Sequence, residues 1–468
     1  MKKHKVLKIV LGILCFLLFI GGSVGGYCYY SFFIRPKTEP KTTLTETNTD
    51  AAIHDTPQAQ MRSLFFYREL YNYLKYDVEN IEENLFAIPG MKATKTIGKT
   101  KGQTEMCTSM TPQGIAVSDK YMFISAYCHT HEHHSVIYVI EKDTHNYIKE
   151  IVLPGRPHVG GMAYDTENDN LWVSCTDNSV AAVAAIHIDA IEEYDLERDK
   201  TPISYLYKYP IYTITKSSFI TYNNRKLYIG YFSAKGESTM QSFQLDAQGA
   251  IMQVKDESYA SFAKTDVIAK VVNVAEISQH VQGMALSGNR LMLTQSYGVL
   301  NSTLTVFKNS EDSTNFLDTQ AINKVITPRQ LEQIYIDGGD LYMIFESGSY
   351  AYSGLPLPAM DYVVRINLYK TLKIDKKDLE NIVEELPKEE ADELLNSDET
   401  SDDNTSDFQE NSDTSVEGSS SAQDGIQSET DNNPLDGSGT SDVENQTEGN
   451  EGDSINKTTD FEEVAPTS

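Results

Sequence analysis

The chain has 468 residues, 40% of them apolar, enough for one large hydrophobic core or two modest ones. Its net charge of −29 is concentrated at the C-terminal end. Residues 391–468 carry 22 acidic side chains against a single basic one, Lys457, so the part before them is only mildly acidic. No basic surface of the kind that binds nucleic acid arises from this composition, which excludes nucleic acid as a partner.

Residues 1–8 are basic, with Lys2, Lys3, Lys5 and Lys8. Residues 9–34 contain no charge and exceed the ~20 apolar residues that a bilayer-crossing helix needs. The basic excess on the N-terminal side leaves the N-terminus in the cytoplasm and everything after Ile34 outside. The run is longer than the ~7–15-residue apolar core of a cleaved signal, and no small-residue cleavage site closes it. It therefore reads as an uncleaved, single-pass signal anchor in the cell membrane, with a cleaved signal peptide as the competing reading. Residues 35–60 are polar and read as a stalk. In residues 61–90, Leu64, Phe65, Leu70, Leu74, Val78, Ile81 and Leu85 have the spacing of an amphipathic helix, which Pro89-Gly90 ends.

Residues 91–373 change texture to short β-branched and aromatic runs separated by Gly, Asn, Asp and Ser. A weak repeat runs through them. Its copies begin at Gln113-Gly-Ile-Ala-Val, Gly160-Gly-Met-Ala-Tyr, Ser218-Phe-Ile-Thr-Tyr, Gln282-Gly-Met-Ala-Leu and Glu332-Gln-Ile-Tyr-Ile. Each is a strand, a tight polar turn and a second strand, mostly with a third strand beyond. This pattern predicts an all-β domain, a β-propeller of five to six, or seven, four-stranded blades, with a β-sandwich as the alternative. A sixth blade would occupy the long intervals near Ile186 or Ala269. Thr94 to Lys99 is expected to close the ring as the outer strand of the last blade. The glycines at the repeat starts fit innermost strands that crowd the axis. Residues 374–396 read as a helical segment, and residues 397–468 as a disordered acidic tail too polar to order itself.

Of the five cysteines, Cys107, Cys128 and Cys175 follow the apolar run. Spacing leaves open one disulfide plus a thiol or three buried thiols.

The stretches Thr111-Pro-Gln-Gly-Ile-Ala-Val and Pro157-His-Val-Gly-Gly-Met-Ala-Tyr-Asp resemble the blade starts of NHL, YVTN and gluconolactonase-like propellers. The stretch from Ile124 to Ile140 is similar to uncharacterised membrane-anchored surface propellers of Gram-positive bacteria. The resemblance covers about residues 94–372. It implies a propeller with a ligand face and no particular reaction. The metal-binding residues of gluconolactonases have no matching positions here.

Candidate site residues follow from the repeat. His158 and His280 hold equivalent positions just before inner strands, with Thr111, Lys216 and Gln330 as counterparts, so they are expected to ring the mouth of the axial channel. Arg156 and Arg329 lie in the same lead-in loops and are candidates for anion binding. Glu346 follows the second strand of the last copy and is expected at the same mouth. His129, His131 and His133 alternate along an extended stretch and form a candidate set for a divalent metal such as Zn²⁺ or Ca²⁺, the one cofactor the sequence offers. No nucleophile elbow, phosphate loop, dinucleotide fingerprint or HExxH helix occurs. The leading functional reading is an extracellular binding or scaffolding module at the bacterial cell surface, its partner a protein, a cell-wall polymer or a small ligand. The alternative is a metal-assisted hydrolase or lactonase-like enzyme using histidines on one propeller face.

Overall fold

The structure, a computed structural model, describes residues 2–48, 56–74, 80–100, 102–310 and 312–372. The expected helical segment 374–396 and the acidic tail 397–468 lie outside the described residues. So do residues 75–79 of the expected amphipathic helix.

Five sheets follow one another along the chain, each built on four antiparallel strands, and the third is extended by a short parallel strand, Asn315–Phe316. In the first, Met110–Val117, Tyr121–Cys128, Val136–Glu141 and Tyr147–Val152 pair in order. The second runs Met162–Asp165, Asn170–Asp177, Val180–His187 and Tyr207–Pro210, and the third Phe219–Asn223, Lys226–Gly230, Ser238–Gln244 and Val271–Ile277. The fourth is Val281–Ser287, Arg290–Gln295, Ser302–Lys308 and Asn323–Thr327. The fifth takes Leu331–Asp337, Asp340–Phe345 and Tyr362–Asn367 and completes itself with Leu85–Ala87 from the N-terminal side. Each sheet's first strand touches the first strand of the next, and the fifth touches the first. The ring is therefore a five-bladed propeller, and its cores lie between neighbouring blades.

The repeat marks what the geometry needs. A Cβ on Gly114 would meet Gln333 Oε1 at 2.9 Å, and one on Gly283 would meet Gln333 Cα at 2.8 Å. The tight turns between first and second strands use left-handed residues, such as the successive Asn224 and Arg225 at φ 48° and 58°. Hydroxyls on second strands stitch blades together. Ser125 Oγ accepts from Gly114 N–H and donates to Val159 C=O, both at 2.8 Å. Thr294 Oγ1 donates to Glu332 C=O at 2.6 Å.

The blade count is five, within the expected range, and three other expectations change. The interval after Ile186 holds two short helices, Ile188–Glu193 and Leu196–Asp199, and Ala269 ends a small ribbon of Gln253–Lys255 with Val267–Ala269. The closing strand is Leu85–Ala87, whereas Thr94–Ile97 pairs with Thr104–Cys107 in a separate hairpin. The single amphipathic helix is replaced by short pieces, Pro57–Leu64, Arg68–Asn72 and Ile81–Asn84. Their Met61, Leu64 and Leu70 are buried with residues of the fourth and fifth blades. The polar stalk does not stand free along its first part: Asn48 N–H donates to Ala93 C=O at 2.9 Å, and Thr47 Oγ1 donates to Glu150 Oε2 at 2.9 Å. Short side-chain acceptors and exposed backbone let such a segment dock by hydrogen bonds without any apolar signal in its sequence.

The helix Lys2–Tyr29 continues through Tyr30–Ile34 and Arg35–Lys37. Its stretch Gly12–Lys37 is long and apolar enough to cross a membrane. At its C-terminal end, Ser31 Oγ donates to Gly354 C=O at 3.0 Å and Arg35 Nε to Tyr350 C=O at 2.8 Å.

Candidate ligand-binding site

Because the blades are radial, the loops leading into the five inner strands meet at one end of the axis. They enclose a concavity of about 690 Å³. His158, Lys216 and Glu346 line it, as the repeat positions imply, together with Gln113, Glu332 and Tyr352.

Below the concavity the axis is sealed by Gln333. Its Oε1 accepts from Met162 N–H at 2.9 Å and Ile115 N–H at 3.1 Å. Its Nε2 donates to Met162 C=O at 2.5 Å and to Ile220 C=O at 3.3 Å. One side chain thus joins the fifth blade to the first three. Gln333 stands where three of the other four copies carry glycine and the third blade carries Phe219, and Gly114 leaves the room that its amide oxygen fills.

The floor above this plug is a pair of carboxyls. Glu346 accepts from Gln113 Nε2 at 2.8 Å and from Gln330 Nε2 at 3.4 Å. Glu332 lies beside it, and both are buried. Burial pushes Glu332 well above the ordinary carboxylate range, and the neighbouring Glu346 charge adds to this. Burial also raises Glu346, to about 7, against the stabilising bonds from Gln113 and Glu332. The pair therefore keeps a proton at neutral pH. Two acceptor oxygens at this depth, Glu332 Oε1 and Gln113 Oε1, have no hydrogen-bond partner.

The carboxyls bind protons more tightly in the folded chain than in the unfolded one, so stability should fall as pH rises from about 4.5 through about 7 and beyond. The slope reaches about 1.4 kcal/mol per pH unit for each group while it titrates. Denaturant melts of wild type and Glu346→Gln from about pH 5 to about pH 8 should show a shallower decline in the variant.

The wall next to the floor is aromatic. The Tyr127 ring lies 4.2 Å from that of His158, 5.7 Å from His129 and 5.9 Å from His131. Tyr127 Oη and His129 Nδ1 are 3.0 Å apart, and Tyr352 packs edge-on to His129 at 5.2 Å. His158 keeps an accessible edge towards the concavity while protein surrounds the rest of its ring. Burial, reinforced by the neighbouring histidines, lowers both His129 and His158 to about 4. Both rings are neutral at physiological pH and can donate or accept hydrogen bonds.

Four sequence candidates sit elsewhere. His280 lies outside the concavity, stacked on Tyr297 at 4.4 Å with Nε2 3.1 Å from Ala234 C=O. Gln282, two residues on, reaches the concavity in its place. Arg329 is 4% exposed and committed to carbonyls of Pro358 and Tyr352 at 3.1 Å each, so it anchors the loop carrying Tyr352 and does not line the concavity. His133 turns away from His129 and His131 towards Cys128, with its Nδ1 3.4 Å from the sulfur. Arg156 holds the histidine loop by donating to His131 C=O at 2.5 Å.

Glu332, Gln113, Tyr127 and Tyr352 were not singled out by motif. One signal for Glu332 was present: a carboxylate inside an inner-strand repeat where the other copies place glycine, serine or glutamine.

No family model matches this sequence, and comparison with curated proteins finds no match. Among solved structures it is similar to Kuenenia stuttgartiensis hydrazine synthase, with 12% identity and a TM-score of 0.27 over 53% of this chain. This chain spans 58% of that one. A protein of unknown function from Bacteroides caccae is 9% identical, with a TM-score of 0.33 over 59% of this chain and 90% of that chain. The Dos1 propeller is 12% identical, with a TM-score of 0.26 over 54% of this chain and 59% of that chain. The strand ladders and the closed ring of inner strands make this chain a five-bladed β-propeller carrying an N-terminal apolar helix, an architecture that fits a binding or scaffolding module.

Proposed function

We propose that the chain is a membrane-anchored binding module. Its N-terminal helix holds the propeller on the outer side of the membrane, and a small polar ligand enters the axial mouth. The lysines ahead of the helix support this orientation. The observation that carries the ligand reading is the pair of buried, unpartnered acceptors, Glu332 Oε1 and Gln113 Oε1, at the base of an accessible concavity. A buried acceptor without a donor costs about 1–3 kcal/mol, which a ligand presenting hydroxyl or ammonium donors would recover. The neutral His158, backed by the buried Tyr127 ring, and Tyr352 supply an amphipathic wall suited to stacking on a sugar or similar ring. Amino-sugar oligosaccharides of the kind found in cell-wall polymers combine these features.

The test is a thermal-shift titration of the detergent-solubilised full-length protein with glucosamine-containing oligosaccharides and with their N-acetylated forms. Stabilisation by one series, lost in Glu346→Gln and weakened at least ~10-fold in His158→Ala, is expected, since a lost charge-assisted bond is worth ~1.5–3 kcal/mol. Equal stabilisation of wild type and both variants would remove the mouth as the site.

A second reading, hydrolysis, is favoured by the two carboxyls Glu332 and Glu346 meeting side by side at the base of one concavity, where burial raises Glu346 towards the acidity of a general acid–base group. Product release from the same oligosaccharides, abolished in Glu346→Gln, would select it. A histidine-held metal at the mouth has less support, because His129, His131 and His158 gather around Tyr127 and form no ligand cluster among the described residues.

A further inference from the structure

Away from the mouth, four side chains from distant parts of the sequence converge. Cys107 ends the strand Thr104–Cys107, and Cys128 ends the second strand of the first blade. His133 follows in the next loop, its backbone bridged to Gly98. Glu39 comes from the segment just after the apolar helix, which Thr108 Oγ1 holds by donating to Pro40 C=O at 2.7 Å. Glu39, Cys107, Cys128 and His133 each aim one ligand atom at a common point, all within 4.8 Å of one another.

The separations have the size of a metal's coordination shell. With Zn–S near 2.3 Å and Zn–N or Zn–O near 2.0–2.2 Å, tetrahedral ligands stand roughly 3.4–3.8 Å apart. Cys128 Sγ lies 3.4 Å from His133 Nδ1 and 3.5 Å from Glu39 Oε1, and His133 Nδ1 lies 3.5 Å from Glu39 Oε1. Cys107 and Cys128 are at most 1% exposed, and His133 is 7% exposed.

An outer layer of partners orients these ligands. His133 Nε2 is 3.7 Å from Glu105 Oε2, a carboxylate whose charge favours the proton on Nε2 and leaves Nδ1 to ligate. Ser109 N–H donates to Cys107 Sγ at 3.4 Å, and the Thr130 hydroxyl lies 3.2 Å from Cys128 Sγ. Thr130 also donates to Glu39.

We propose that Glu39, Cys107, Cys128 and His133 form a structural zinc site. Two sulfurs, one imidazole and one carboxylate in a tetrahedral shell select Zn²⁺ over hard cations such as Ca²⁺ or Mg²⁺. All four positions are taken by protein, so the site is closed to substrate and clamps rather than catalyses. It joins the segment emerging from the apolar helix to the first blade and to the hairpin that packs on it. Of the histidines expected to bind metal, only His133 takes part. This site stands whether or not the mouth binds a ligand.

The test uses full-length protein purified in detergent under reducing conditions, with zinc measured per chain and with Co²⁺ exchanged in as an optical probe. Wild type should hold one equivalent of zinc and, with Co²⁺, show thiolate charge-transfer and tetrahedral ligand-field bands. Cys128→Ser should lose both, and His129→Ala/His131→Ala should keep both. Glu39→Gln leaves the blades intact, should bind zinc at least ~10-fold more weakly, and should change the Co²⁺ ligand-field bands. The proposal is overturned by any of three results: no zinc retained after incubation with Zn²⁺, full zinc retention in Cys128→Ser, or an intact mass showing a Cys107–Cys128 disulfide in protein purified in parallel without reductant.

Discussion

Gly161→Ala should destabilise the propeller by about 3 kcal/mol or more, the upper range of overpacking effects. The new Cβ would sit 2.3 Å from Ile220 N and 2.6 Å from Phe219 Cα, both main-chain atoms of the next blade. No side-chain rotation relieves such a contact, so the second and third blades must part at the axis. For a domain of this size the melting temperature should drop by roughly 6–12 °C. Gly288→Asn is the matched control. Gly288 has open space around it and φ +49°, which asparagine tolerates, so its cost should stay below ~1 kcal/mol. Thermal melts of the two variants side by side check the difference.

Gln333→Leu should cost about 4 kcal/mol or more, although leucine has nearly the volume of glutamine. The loss leaves Met162 N–H, Ile115 N–H and Met162 C=O buried without their partner, each worth about 1–3 kcal/mol and not strictly additive. Gln333→Glu keeps the acceptor side and loses the amide donors to Met162 and Ile220. It also places a carboxyl where no water reaches, so its defect should shrink as pH falls and the group protonates. Denaturant melts at two pH values separate the variants. A Gln333→Leu protein as stable as wild type would mean that the axis is not sealed by this amide.

The propeller was legible because its signal is local and repeated. Gly114, Gly161 and Gly283 announce the crowding of inner strands, and the polar turns after them announce the hairpins. The closing strand was not. Leu85–Ala87 is three residues long and continues an apolar run with helical spacing, and only the free edge beside Tyr362–Asn367 makes it a strand. Thr94–Ile97 looked better suited by its alternation and is indeed a strand, but its partner is Thr104–Cys107. The mouth was half legible: position in the repeat brings His158, Lys216 and Glu346 to the lining of one concavity. His280 and Arg329 do not line it, because their side chains are captured by local stacking and by carbonyls. The Glu39–Cys107–Cys128–His133 cluster had no readable spacing, because Glu39 is brought in by a docked segment whose composition signals only a linker.

Infrared difference spectroscopy of the full-length protein at neutral pH, wild type minus Glu332→Gln, tests the mouth most directly. The floor of the concavity is a carboxyl pair that retains a proton, so the carbonyl stretch of a protonated carboxylic acid should be present in wild type and missing from the variant. A wild-type spectrum in which both glutamates are ionised at neutral pH would contradict it.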